Sequence, residues 1–200
     1  MGVDGATAAQ LLLRLGNQLE DQAGDGGSSP TSTLHARDLV FESCEKAHAV
    51  SLVRLWHSRL PNTQDGPWQF AFRAQYDGRT YAAALWNNPS GRCLPHHWLE
   101  LRRMACSPDS PKNTSSRFLM WMVRWFRRHH PQRERCISYQ DLAVHKGTIY
   151  RACGWKAAYT SKARVRNRSG NRPGTNRKYR WNINGVMQDA SPKVRWEIAL

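Results

Sequence analysis

No Cys-x-x-Cys pair occurs anywhere in the chain, and its five cysteines (Cys44, Cys93, Cys106, Cys136 and Cys153) are odd in number and far apart. That spacing speaks against a disulfide framework or a zinc knuckle and points to a reducing, cytoplasmic setting. No apolar run approaches the roughly 18 to 20 residues of a membrane helix. The first residues also lack the basic-then-apolar order of a signal peptide, so neither membrane insertion nor export is expected. The third shortage is of acid. Against 30 Lys and Arg there are only 15 Asp and Glu, a formal charge of +15 and a pI near 10.3. Such an excess favours a polyanionic partner, DNA or RNA, although a basic surface serving only solubility or contact with anionic lipid would carry the same charge. Of the 200 residues, 40% are hydrophobic and nine are tryptophan, enough for one domain with a proper core.

Residues 1–36 combine a short amphipathic stretch, Ala8 to Leu19, with a polar, glycine-rich run, and read as a flexible N-terminal extension. From Asp38 the texture alternates between short strands and helices, which gives a domain over 37–184 and a C-terminal tail over 185–200. Leu39 to Glu42 suggests a strand and Glu45 to Ser58 a helix, with Ala47, Val50, Leu52, Val53 and Trp56 close to a helical period. Trp68–Tyr76 and Arg79–Trp86 flank Asp77-Gly78, the dipeptide of a tight hairpin turn. Trp98 to Cys106 alternates as a further strand. Ser110 is placed to cap a helix with Pro111 in its first position, running to about His129 with Phe118, Leu119, Met122, Val123 and Phe126 on one face. A strand over Arg135–Tyr139, a short helix over Gly147–Cys153, and strands over Trp155–Val165 and Lys178–Ile183 follow, with one more short strand conceivable around Val194 to Ile198. The order β, α, β, β, β, α, β, α, β, β describes a mixed, mainly antiparallel sheet flanked by helices, an α/β (α+β) fold.

Two segments concentrate chemistry. Between Ser107 and Ser116 a small-polar loop joins a strand to a helix, and unpaired N–H groups at such a helix start suit an anion such as a pyrophosphate; any capped helix shares these features. At the end of the Arg135–Tyr139 strand, Tyr139, Asp141 and His145 gather a proton donor, a carboxylate and a titratable base. The same spacing fits an ordinary loop in which Asp141 caps a turn and Tyr139 packs. Further on, Lys156, Lys162, Arg164, Arg166, Arg168, Arg172, Arg177, Lys178 and Arg180 occur with no acid among them, interleaved with glycine and proline and flanked by Tyr159, Tyr179 and Trp181. Arg164, Arg166, Arg168, Arg172, Arg177, Lys178 and Arg180 are the nucleic-acid-binding candidates, since arginines on a loop reach successive phosphates while aromatics stack on unpaired bases.

The runs "LELRRMACSPDSPKNTSSRFL" and "ISYQDLAVHKGTIYRACGW", with "WHSRLP" and "ALWNNPSGR" upstream, resemble the phage-encoded, GNAT-like acyltransferase family that includes the Mom DNA-modification protein, over roughly Glu42 to Trp181. The resemblance implies a GNAT fold whose acyl donor, an acyl-CoA or related compound, lies beside the strand ending near Cys106, with the backbone of Asn113, Thr114, Ser115 and Ser116 as phosphate cradle. It implies catalytic roles for His57, Tyr139, Asp141 and Tyr150, the last as proton donor to the leaving thiolate, and a possible iron or zinc held by His57, Tyr139 and Asp141. It further implies a phage or prophage origin, a bacterial host cell, and transfer to an exocyclic base amine in DNA. The other readings are a GNAT-like transferase acting on tRNA, protein or a small amine, and a non-catalytic nucleic-acid-binding protein. Two departures stand out: Ser107 to Ser116 contains no glycine, unlike the usual GNAT phosphate loop, and Trp56-His57-Ser58 stands where related sequences have His-Tyr-Ser.

Overall fold

A computed structural model describes residues 33–57, 63, 68–91, 93–163 and 191–200, and residues 34–200 make up one compact unit. The chain runs β1 (Val40–Ser43), α1 (Lys46–Trp56), β2 (Phe70–Tyr76), β3 (Arg79–Asn87), β4 (Leu99–Cys106), α2 (Thr114–His129), β5 (Arg135–Asp141), α3 (Thr148–Ala152), β6 (Lys156–Ser161) and β7 (Lys193–Ala199). The strands form one sheet in the order β1-β2-β3-β4-β5-β7-β6, with β4 and β5 parallel and the other neighbours antiparallel.

The hairpin turn is as its residues dictate: Asp77 and Gly78 both have positive φ, 46° and 74°, as a type I′ turn requires. Each face of the sheet has its own core. On one side α2 buries Phe118, Leu119, Met122, Val123 and Phe126 while Arg117, Arg124 and Arg128 stay exposed. The Phe126 ring meets those of Phe70, Phe72 and Trp86 at centroid distances of 5.2, 5.6 and 4.9 Å. On the other side α1 lays Ala49, Val50 and Val53 against Ala71, Ala83, Leu85 and Ala105; the small Ala71, Ala83 and Ala105, one from each of β2, β3 and β4, let the helix approach closely.

Three expectations are corrected. The second helix begins at Thr114, not at Pro111, because the Pro111 carbonyl accepts from both the N–H and the hydroxyl of Thr114 (3.1 and 2.6 Å) and Asn113 sits at φ 70°, which no helix continues. Ser110 instead donates its N–H to the Ser107 carbonyl. The alternation in β4 breaks at Arg102: Trp86 faces Leu101 while Leu85 faces Arg103, so Arg102 is an extra residue, a β-bulge. Met104 therefore joins Leu99 and Leu101 on the α2 side rather than standing with Glu100. Finally, residues 193–199 are no tail. They form β7, inserted between β5 and β6, with Trp196 buried in the main core. The proposed strand Lys178–Ile183 lies outside the described residues.

A chain ending at residue 184 therefore loses the strand that joins β6 to the sheet. We expect it to fail to fold cooperatively, read as loss of a sigmoidal urea transition by tryptophan fluorescence; a normal transition would mean that β7 is dispensable.

Candidate active site

The bulge decides the geometry of the site. Parallel pairing between β4 and β5 covers only Leu99, Glu100 and Leu101 against Cys136, Ile137 and Ser138. From Arg103 onward β4 remains paired to β3 but, beyond Leu101, no longer to β5, so a wedge opens between the two parallel strands. Backbone amides along that open edge can hydrogen-bond an extended guest as a strand would.

At the wide end of the wedge stands the start of α2. The connection before it is tied down: the Ser107 N–H donates to the Tyr81 carbonyl (2.9 Å), the Ser107 hydroxyl to the Asp109 carboxylate (2.5 Å), and Asp109 pairs with Arg79. The Ser107 bond, with the Arg79 charge, holds the Asp109 carboxyl below the usual carboxylate range. The Ser115 hydroxyl lies 3.1 Å from the Cys106 thiol, and the Ser116 carbonyl accepts from Cys153 of the segment after α3 (3.1 Å). The positive φ of Asn113 turns the chain without a glycine. Among the described residues no acceptor is found for the Ser115 and Ser116 N–H groups, whereas that of Thr114 is taken by Pro111. These two amides, at the positive end of a 16-residue helix, suit a diphosphate.

Tyr150 sits at the apex of the wedge. Its hydroxyl is 2.9 Å from that of Ser138, the last β5 residue paired to β4, and its ring stacks on Trp196 (5.4 Å, 12°) and meets Trp155 edge-on. Burial pushes its phenol above the usual range, so it keeps its proton through neutral pH. Gly147 makes this packing possible: it caps α3 at φ 70°, and a Cβ there would fall 2.9 Å from the Trp196 ring.

The other three candidates lie across the sheet from Tyr150. His57 follows α1, its N–H bonded to the Val53 carbonyl (2.9 Å). Burial first, then the positive charges of Arg103 and His145, lower its imidazole to about 4, so it is neutral at physiological pH. Asp141 is buried, and its Oδ1 accepts from the Ala143 N–H and the Ser191 hydroxyl (3.0 and 2.5 Å) while its carbonyl accepts from Val144 and His145 (3.2 and 3.0 Å). The turn-capping role that the spacing left open is the one Asp141 fills. Tyr139 lies on the α1 side of the sheet opposite Arg195, 37% exposed. No three His, Cys, Asp or Glu side chains are grouped to hold a metal among the described residues. The nucleic-acid candidates Arg164 to Arg180 lie outside the described residues, but the strands that lead into and out of that segment, β6 and β7, end beside Asp141: Ser161 and Asp141 both face Lys193.

Comparison with known proteins accounts for this architecture. The profile of the Mom protein family matches residues 78–189. The chain belongs to the Mom protein family. A comparison with curated proteins finds no match. Among solved structures, similar folds include an acetyltransferase from Bacillus subtilis in complex with CoA (TM-score 0.56, 11% identity, 81% of this chain and 99% of that one). Others are a ribosomal-protein-alanine N-acetyltransferase from Brucella melitensis (0.55, 12%, 81% and 100%) and an acetyltransferase of the GNAT family from Streptococcus pneumoniae (0.52, 8%, 81% and 99%). This Mom-family chain thus has the GNAT acetyltransferase fold.

Residues that sequence reasoning passed over matter here. Ser138, inside the Ser-Tyr-x-Asp run, partners Tyr150, and Arg103 brings a guanidinium to the side of His57. Arg195 and Glu197 come from the short strand that the sequence offers around Val194 to Ile198, where the alternation Lys193-Val194-Arg195-Trp196-Glu197-Ile198 carries a strand's period of two.

The imidazole of His57 yields a pH prediction. Its folded value lies below the unfolded 6.5, so the unfolded chain takes up the proton first. The stability His57 contributes is whole above 6.5 and is lost as pH falls toward 4, by up to about 3 kcal/mol. In thermal melts from neutral pH down to about 4, His57→Gln should lose distinctly less stability than the unsubstituted chain; parallel curves would show that the imidazole is not desolvated.

Proposed function

We propose that this Mom-family protein is an N-acyltransferase that takes an acyl group from a CoA-type thioester and delivers it to an exocyclic base amine in DNA. The observation that carries the first half is the wedge opened by the Arg102 bulge, with the amides of α2 at its wide end and a tyrosine hydroxyl at its apex. These residues fit such a donor. The free edge of β4 from Arg102 to Cys106 suits the amides of a pantetheine arm, and Ser115 and Ser116 suit its diphosphate. A bound donor supplies an activated acyl carbon and a thiolate that leaves more readily when protonated.

Tyr150 is the group positioned to give that proton, held on line by Ser138 and kept protonated by burial. Neutral His57, on the acceptor side of the sheet, can accept the proton released by the amine. Asp141 acts through position: it folds the turn that carries His145 and fastens residue 191 at the start of β7. Catalysis then rests on orientation within the wedge as much as on proton transfer.

The DNA half is supported by the charge of +15, by the acid-free basic segment tethered at the β6 and β7 ends beside Asp141, and by the resemblance to the Mom DNA-modification protein. A base amine engaged in pairing is reached only by extruding the nucleotide.

The test is to express the protein in a bacterial host, digest host and plasmid DNA to nucleosides, and compare masses with those from Tyr150→Phe, which keeps the stack on Trp196. A heavier nucleoside with the unsubstituted chain, reduced at least about 100-fold in Tyr150→Phe, is expected, and its mass increment identifies the group transferred. Ordinary nucleosides alone from both, with folded protein that retains CoA, would move the acceptor to tRNA, protein or a small amine. Folded protein that binds DNA but no CoA would leave a non-catalytic binding protein.

A further inference from the structure

Three residues on the open face of the sheet have no part in the scheme above. Tyr139 of β5 and Tyr159 of β6 both stand opposite Arg195 of β7, so their side chains form one row across adjacent strands and project from one face. It is the face away from the main core, since Val194 and Trp196, the neighbours of Arg195 along β7, are buried in that core. The helix on this side, α1, packs on β2, β3 and β4 and leaves the row uncovered among the described elements. Both rings are open, Tyr139 at 37% and Tyr159 at 52% exposure. The guanidinium between them is fixed: Arg195 Nε lies 2.7 Å from the buried Glu197 carboxylate, and its central carbon 5.8 Å from the Tyr159 ring centroid. The row begins at the wedge, because Tyr139 is the residue after Ser138, where pairing with β4 ends.

We propose that Tyr139, Arg195 and Tyr159 form a stacking platform for unpaired nucleobases, holding a single-stranded or extruded part of the acceptor DNA against the mouth of the β4–β5 wedge. This rests on the reading of DNA as acceptor and adds where and how it is held. Exposed rings and a planar guanidinium offer faces on which any base stacks, whereas a paired base in a duplex presents only its edges in the grooves. Charge complementarity points to the same occupant. The basic segment leaves β6 at Lys162 and returns at β7, so phosphates flanking a stacked base meet positive charge that starts on these two strands.

The test is binding of a short labelled DNA single strand, and of its duplex, followed by fluorescence anisotropy over a salt series, with aminopurine at one position of the single strand to report stacking by quenching. Tyr159→Thr, which keeps strand propensity, should weaken single-strand binding roughly tenfold or more and abolish the quenching. Tyr159→Phe should match the unsubstituted chain, and Tyr139→Thr, made independently, should reproduce the loss. Duplex affinity and the salt slope should not change, because no phosphate contact is removed. If both threonine variants bind and quench normally, the platform is overturned while DNA binding stands. Equal losses in Tyr159→Phe and Tyr159→Thr overturn it too, since stacking needs no hydroxyl. If the unsubstituted chain binds neither form of DNA, the acceptor reading itself falls and the platform with it.

Discussion

Beyond Leu101 the backbone of β4 carries amides and carbonyls on its β5 side for which the sheet supplies no partner. Sheet edges of this kind are normally covered, charged or shortened, because they invite any extended chain to pair. Here the edge lies in the middle of a seven-stranded sheet and is created by one inserted residue, Arg102. The bulge interrupts the antiparallel ladder with β3, where it bends the strand and makes the following residues exchange faces, and the parallel pairing with β5 ends at the residue before it. Everything else in the site is arranged around the gap that results.

Holding such a gap open requires the flanking elements to be rigid. On the α2 side this is achieved by aromatic packing, with Phe126 wedged among Phe70, Phe72 and Trp86 and the Trp86 indole donating to the Met122 sulfur at 3.0 Å. On the β5 side, Tyr150 and Trp196 stack beneath the strand, and the Trp196 indole donates to Gln140 at 2.7 Å. The two sides meet through Cys153 and Ser116. The site is therefore a slot in one sheet whose two sides share a single core on the α2 face, with the helix start at one end and Tyr150 at the other.

Much of this was legible in the amino-acid sequence because it depends on local signals. Asp77-Gly78 names its turn, the apolar stripe of α2 names its buried face, and Gly147 and Gly154 bracket α3. What stayed hidden depends on partners distant in sequence. Arg102 reads as one more alternating residue, since a bulge is defined by the strand it faces and not by its own chemistry. The late start of α2 was hidden by a proline and a serine that fit a helix start equally well; the left-handed turn at Asn113 prevailed because it gives Thr114 two bonds to Pro111. The alternation in Val194 to Ile198 suggests a short strand, but the long basic sequence between it and β6 hides its place inside the sheet, between β5 and β6. Of the catalytic candidates, Tyr150 lies at the apex of the wedge beside Ser138, while His57 and Asp141 lie across the sheet from it, Asp141 also accepting from the Ala143 N–H of its turn.

The position of β7 explains why a long basic segment can be carried at all. Were the last strand an edge, a charged insertion before it would be held by one side only, and its repulsion would act against a single ladder of hydrogen bonds. Instead β7 pairs along its whole length with β5 on one side and runs beside β6 on the other, with Trp196 locked into the core. Both ends of residues 162–192 are thus fixed to well-ordered strands, whatever charge lies between them. With a polyanion as partner, as proposed, binding would offset the mutual repulsion of these positive charges. The two anchors stand beside Asp141 and the mouth of the wedge, so, under the proposed reading of DNA as acceptor, energy gained from phosphate contacts would be delivered where the acceptor amine meets the donor.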